Sequence, residues 1–382
     1  MSKIINKLLT ESQSVAIARP TLAAITQKIA SEIHTELVSI VYTKRPNAMV
    51  MGLRMQSENG TEINTAPFSN ISGRTSENET VDFPATFQIG EYFNLYGIDF
   101  QAIDETVFSI KPSIDKLYEL AYSGTIRIAN DAYTNEEKDY TPSSFILDGW
   151  KANVATRKIG TGVSHELIQD LNSMNLDSDN IIENMLVTSI AHEINRDIIS
   201  KLICVSTKSG SIGVNSFLKE SDMQDIIIRR IHEESGHIEK QSSFKPNWVL
   251  CSPGVAGVIK NSSNYSGGLL AQELEIVVDA MSPVDYFMVG VKDEINNESV
   301  APIYYTPMRD EERDIFEFTF LEMMDTKNMQ PIYGCMSRYA LSANPYIDST
   351  LSRQLESGDD WTKSANKSPF CRMVVVKLPT TK

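Results

Sequence analysis

Apolar residues recur at every fourth position from Ile182 through Leu186, Ile190, Ile194 and Ile198 to Leu202. Residues four apart share one face of an α-helix, so the spacing predicts one unbroken apolar seam. The helix it marks lies within Asp177 to Cys204; at about 26 residues it spans roughly 39 Å at ~1.5 Å per residue. Helices in globular domains average about three turns. This one reads as a spine, and a spine points to a structural protein more readily than to a catalytic one. Its polar side carries Glu193-Ile-Asn-Arg-Asp197, and Thr161 to Asp170 leads into it.

The same reading places the other elements. Residues 1 to 19 form an arm, and Pro20 suits the first position of a helix. Leu22, Ile25, Ile29, Ile33 and Leu37 then mark an amphipathic helix that stops before Lys44-Arg-Pro46. Ala48 to Met55 is a strand. The polar stretch Gln56 to Thr80 is too long for an ordinary connection and predicts a projecting loop. Strands follow at Ala85 to Ile89 and Ile98 to Ile103, and a helix at Ile114 to Tyr122. Beyond the spine, Val205 to Asn215 reads as a loop and Asp222 to Ile238 as a second helix, with Gly236 ending it. Short strands at Asn247 to Cys251, Leu274 to Val278, Tyr286 to Val291, Pro302 to Tyr305 and Arg372 to Leu378 then mix with helical turns. That mixture predicts an α+β fold rather than a doubly wound sheet.

Composition narrows the function classes. The chain has 382 residues, 41% of them hydrophobic and 22% charged, as in an ordinary soluble globular protein. Its net charge of -15 repels phosphate backbones and disfavours anionic membrane surfaces. No apolar run reaches the length of a membrane span, and no secretory signal is expected. The four cysteines, Cys204, Cys251, Cys335 and Cys371, form no CxxC pair. They fit a reducing compartment such as the cytoplasm, where each acts as a small buried hydrophobe.

No motif assembles catalytic chemistry. His192-Glu193 invites a zinc-protease reading, but the second histidine that would share its helix face is replaced by Arg196. The plainer reading is a charged face of the spine that meets another element. His232-Glu-Glu-Ser-Gly-His237 clusters imidazoles and carboxylates, yet a five-residue spacing does not put both histidines on one face. A solvated helix terminus is the plainer reading there, and a metal-dependent hydrolase using His232 and His237 is the competing one. Gly160-Thr-Gly162 and Gly210-Ser-Ile-Gly213 do not extend to a phosphate-cradling loop. No catalytic, cofactor-binding or metal-binding residue is expected.

Several segments together resemble one family. Lys3-Ile-Ile-Asn-Lys-Leu-Leu-Thr-Glu-Ser12, Ala18-Arg-Pro-Thr-Leu22 and Gly160-Thr-Gly-Val-Ser-His-Glu-Leu-Ile-Gln-Asp-Leu171 occur in order along the chain. So do Glu193 to Asp197, Ser282-Pro-Val-Asp-Tyr286, Arg338-Tyr-Ala-Leu-Ser-Ala-Asn-Pro-Tyr346 and Val375-Val-Lys-Leu-Pro379. They resemble the capsid vertex proteins of T-even-type tailed bacteriophages, relatives of the major capsid protein built on the HK97 fold. The chain is shorter than typical relatives, with the deficit near Asn261 to Leu274.

The resemblance implies a propeptide (1–11), an N-terminal arm (12–45) and an extended loop with an inserted domain (46–157). It further implies a peripheral domain with the spine (158–244), an axial domain (245–340) and a C-terminal return (341–382). It implies a virion component assembled in the host cytoplasm as a homopentamer, beside hexamers of the major capsid protein and with a prohead protease, scaffold and decoration proteins. A hexamer-forming major capsid protein of the same fold is the alternative. Leu9-Thr10-Glu11 before Ser12 resembles the protease's cleavage triplet. Glu193, Arg196, Arg338 and Asn344 are expected at or near subunit contacts.

Overall fold

The apolar seam forms the helix its spacing predicts, at Ser178–Val205, with Asp177 as its N-cap. The Asp177 carboxylate accepts from the backbone N–H of Asn180, relieving one of the donors a helix start leaves unpaired. All six seam residues are buried. These features come from a computed structural model that describes residues 34–57, 81–96, 98–129, 143–173, 177–213, 220–262, 265–266, 269–270, 273–295, 298–308, 318–325, 327, 330–344 and 361–378. Residues 1 to 19, most of the predicted helix Leu22 to Leu37, the predicted projecting loop beyond Ser57 and the segment Leu9-Thr10-Glu11-Ser12 lie outside them.

The chain forms two compact units, Met1–Met49 with Trp150–Lys382, and Val50–Gly149. In the larger unit the spine packs on a five-stranded sheet. The central strand of that sheet, Pro331–Ala343, pairs antiparallel with Ala155–Gly162, Ile303–Pro307 and Phe318–Met324. Alternation along the central strand sends Tyr333, Cys335, Tyr339 and Leu341 toward the seam.

A second, seven-stranded sheet runs in the order Ser206–Gly213, Ser368–Lys377, Tyr286–Gly290, Trp248–Cys251, Leu274–Val278, Leu269–Leu270 and Tyr265–Ser266. Trp248, Leu250, Tyr286 and Met288 point to the spine's core. Their neighbours Val249, Cys251, Phe287 and Val289 point the other way, against Ile227, Ile228, Ile231 and Ile238 of the second helix. A sheet buried on both faces reads as continuous apolar runs, as these strands do. Gly290 is required here: a Cβ at that position would meet the Trp248 ring at 2.0 Å.

The smaller unit has its own core. Phe87, Phe93, Leu95, Ile98, Phe100, Phe108 and Leu117 are buried together, and the Phe87 and Phe93 rings stack with centroids 4.0 Å apart. Its helix, Ile114–Ser123, starts at Ser113, whose Oγ accepts from Lys116 N–H, and ends at Gly124 in the left-handed region at φ 86°. Strands Asn47–Ser57 and Ser143–Asn153 pair as a two-stranded ribbon.

Three expectations change. The segment expected as a loop after the spine is a strand, Ser206–Gly213, parallel to Ser368–Lys377. Apart from Ile212, which packs on the core of the second helix, it carries only polar side chains and glycines, so it shows no alternation; backbone pairing with an apolar partner holds it. The second helix does not stop at Gly236 but runs to Ser242, and Ser243 takes the left-handed position at φ 62°. A glycine inside a helix costs only about 1 kcal/mol, and burial of Ile238 beyond it exceeds that.

The turn around His232 to His237 is not a solvated terminus either, because Glu234 is 0% exposed. Arg372 Nε donates to Glu234 Oε2 at 2.6 Å, and Ser209 Oγ donates to the same oxygen at 2.9 Å. Arg230 Nη2 stands 2.8 Å from Oε1, an ion pair without hydrogen-bond alignment. The cluster ties the second helix to the strands Ser206–Gly213 and Ser368–Lys377.

The cysteines are free thiols. Burial pushes Cys251 and Cys371 up to about 12 and Cys335 up to about 11, so these three stay protonated and inert near neutral pH.

Candidate functional site

The strand Ala155–Gly162 alternates, and Arg157 and Ile159 face the spine. Ile159 joins the apolar core. Arg157, two residues earlier, reaches the spine's polar side, where Glu193 and Asp197 stand four residues apart on one face. Its Nη1 donates to Glu193 Oε2 at 2.9 Å, its Nη2 to Asp197 Oδ2 at 3.3 Å, and its Nε to the Tyr339 hydroxyl at 2.9 Å. Tyr339 donates onward to Asp197 Oδ2 at 2.9 Å.

Partial burial alone would lower the pKa of Arg157. The hydrogen bond to Glu193, followed by the contacts with Tyr339 and the charge of Asp197, overrides it and holds the guanidinium above its ordinary value. Tyr339 is raised, first by burial and then by Asp197. Arg157 and Glu193 keep side-chain exposures of 33% and 49%, so this pair stabilises the fold by about 1 kcal/mol at most. It is the charged face meeting another element that the Glu193 segment suggested.

A cavity of about 520 Å³ opens beside this cluster. Arg157, Lys158, Asp197, Lys201, Tyr339 and Trp361 are among its lining residues. The Lys201 ammonium stands 4.8 Å from the centroid of the Trp361 ring, within cation–π range.

The other expected contact residues scatter. Arg196 is exposed, one position from the buried Asn195. Arg338 pairs in register with Thr156 and lies on the sheet face away from the spine, its Nε buried without a hydrogen-bond partner. Asn344 is 1% exposed; its amide donates to Ala301 O at 2.9 Å and to the Tyr304 hydroxyl at 3.3 Å, inside its own unit. Among the described residues no three His, Cys, Asp or Glu side chains converge as metal ligands. No helix among them is long and apolar enough to cross a membrane.

Sequence reasoning missed two exposed apolar surfaces. Strand Phe318–Met324 ends its sheet, and Phe320, Leu321, Met323 and Met324 are 38%, 51%, 64% and 60% exposed. On the ribbon, Met49, Met51, Phe145 and Leu147 are likewise exposed. Long apolar edges and patches of this kind mark association surfaces. The periods showed strands here but not which faces stay uncovered.

The class of protein is shown by comparison: a structural protein of viral capsids. The model of the family described as major capsid protein Gp23 matches residues 15–376, and the chain belongs to that family. Along its whole length the chain is similar to the capsid vertex protein of Enterobacteria phage T4, 30% identical over 427 aligned residues that cover 99% of each chain. It is also similar to the major capsid protein of the same phage, 24% identical over 285 residues, covering 63% of this chain and 53% of that one. A chain from the solved capsid of Myoviridae phage XM1 superposes with a TM-score of 0.47 at 10% identity, covering 96% of this chain and 100% of that one. The chain thus stands with the vertex branch of its family, as a non-enzymatic structural component of the phage capsid.

Proposed function

We propose that the chain forms pentamers at the vertices of an icosahedral phage head, beside hexamers of the major capsid protein. Its work is assembly. The observation that carries the reading is the pair of exposed apolar surfaces, on the ribbon and on the sheet edge, which the described chain leaves uncovered. Surfaces of that kind are stabilised by neighbouring subunits, and obligate interfaces commonly exceed ~2,000 Å². A head-to-tail contact makes a ring when its rotation closes.

In this reading the fold is of the HK97 type. Residues 12–45 are the arm, 46–157 the extended loop with its inserted domain, 158–244 the peripheral domain, 245–340 the axial domain and 341–382 the return. Glu193, Arg196, Arg338 and Asn344 lie at or near subunit contacts. A prohead protease removes residues 1–11 by cutting between Glu11 and Ser12; scaffold and decoration proteins are further partners during assembly.

Intact-mass measurement of the subunit from purified particles tests membership and cleavage together. The expected species lacks the first eleven residues of the 42.7 kDa chain. Particles without this subunit would contradict the reading, and a full-length subunit would contradict the cleavage. The hexamer-forming alternative draws on the likeness to the major capsid protein.

A further inference from the structure

Methionine is unevenly exposed in this chain. On the sheet edge Met323 and Met324 are 64% and 60% exposed, and on the ribbon Met49 and Met51 are 55% and 58% exposed. Met288, inside the seven-stranded sheet, is 0% exposed. Met323 and Met324 are consecutive in their strand, so one thioether stands on each face of the edge. Met49 and Met51 are two apart and share one face of the ribbon. Both exposed apolar surfaces therefore present sulfur to solvent in the free chain.

A thioether reacts with hydroperoxides without ionising first. Its sulfur lone pair attacks one peroxide oxygen, a sulfur–oxygen bond forms and the oxygen–oxygen bond breaks. Sulfur loses two electrons and the peroxide gains them. The proton on the transferred oxygen passes to the leaving oxygen, giving water or an alcohol. The product is methionine sulfoxide, which is polar and accepts hydrogen bonds. Covering it with an apolar neighbour costs a desolvation that the thioether does not incur. Three of the four thiols, Cys251, Cys335 and Cys371, are buried and protonated, which leaves these thioethers as the sulfur more open to a peroxide.

We propose that Met49, Met51, Met323 and Met324 are oxidation sites of the unassembled chain, and that their sulfoxides bar a subunit from the shell. The oxidant is a hydroperoxide. Before assembly the four thioethers are open to it. Once a ring closes, neighbouring subunits cover both surfaces and shield the sulfur. A shell built this way takes up reduced subunits and excludes oxidised ones, and enzymatic reduction of the sulfoxides returns an excluded subunit to use. The inference rests on the ring-forming reading above.

The test treats purified full-length chain with hydrogen peroxide, before or after ring formation, and locates the added oxygen by peptide mass mapping. In the unassembled chain the four sites should oxidise ahead of Met288. In rings they should be protected. Native mass spectrometry and sedimentation velocity then follow assembly. Chain oxidised at the four sites should need about tenfold or more higher concentration to form rings. Treatment with both methionine sulfoxide reductases, one for each sulfoxide epimer, should restore assembly. The variant Met49→Leu, Met51→Leu, Met323→Leu, Met324→Leu keeps the apolar area without the thioethers, so it should assemble like wild type and continue to do so after the same dose. It retains Met185, Met281 and all four cysteines, so damage at those positions would still show.

Oxidised chain that forms rings as readily as untreated chain overturns the inference and leaves the vertex reading standing. Peroxide-treated leucine variant that loses assembly overturns it too, because the damage would then lie elsewhere. Failure of the reductases to restore rings has the same meaning. An untreated wild-type chain that forms no ring overturns both readings. Should the leucine variant fail to fold, the mapping and the reductase rescue decide alone.

Discussion

The two long helices each carry a charged cluster, and the clusters differ in burial. On the second helix, Glu234 is sealed from solvent between Arg230, Arg372 and Ser209. On the spine, Glu193 and Asp197 hold Arg157 at the lip of an open cavity. A buried charge has lost its hydration, so removing one partner leaves the others stranded in a medium that solvates them poorly. A half-exposed pair keeps water as an alternative partner, and its loss is cheap to the fold. The first cluster therefore fastens one subunit together. The second is free to take a role between subunits.

Variants can break or sharpen that contrast. Glu234→Ala should cost the most, about 3–5 kcal/mol, because two arginines lose a shared carboxylate. Denaturant unfolding of the monomer reads this, and a loss below about 1 kcal/mol would erase the distinction between the clusters. Ile190→Ala, in the middle of the buried seam, should cost about 2–5 kcal/mol by the same measurement. A loss near zero there would mean that the spine does not anchor the core.

A subtler effect belongs to Tyr333, whose hydroxyl donates to Asp179 at the start of the spine. Burial, then that hydrogen bond, then nearby negative charge push it up to about 12. A folded pKa above the unfolded value of about 10 means its contribution is whole below pH 10 and is lost as pH rises through 12. Tyr333→Phe has no such proton to lose. Its melting temperature should fall less steeply than wild type between pH 10 and 12, and parallel curves would refute the linkage. Glu193→Ala should be the mildest change, within about 1 kcal/mol for the isolated chain. A loss above about 2 kcal/mol would show that the exposed cluster is also needed for folding.

How much of this was readable in advance depended on locality. The spine was legible because its isoleucines repeat within one helix and all face one core. The α+β class followed from short apolar runs that the sheets do bury. Strand Ser206–Gly213 was hidden, since its partner lies at Ser368–Lys377 and its own residues show no period. Glu234 looked solvated because Arg372 is 138 positions away. The Arg157 cluster was invisible for the same reason: Tyr339 lies 182 positions from Arg157, so no spacing announces the contact. What could be seen was only that Glu193 and Asp197 share a face and needed something opposite. Family resemblance reached further than periodicity, because ordered motifs from Gly160 to Arg338 carry long-range information that a window of neighbours lacks.

The central claim is that this chain closes rings at capsid vertices. A symmetry-expanded electron cryomicroscopy map of intact particles tests it most directly. The account predicts density fitting this fold at the five-fold positions, with the ribbon and the Phe318–Met324 edge covered by adjacent subunits. Density for the chain at hexamer positions alone, or particles that lack it, would contradict the account.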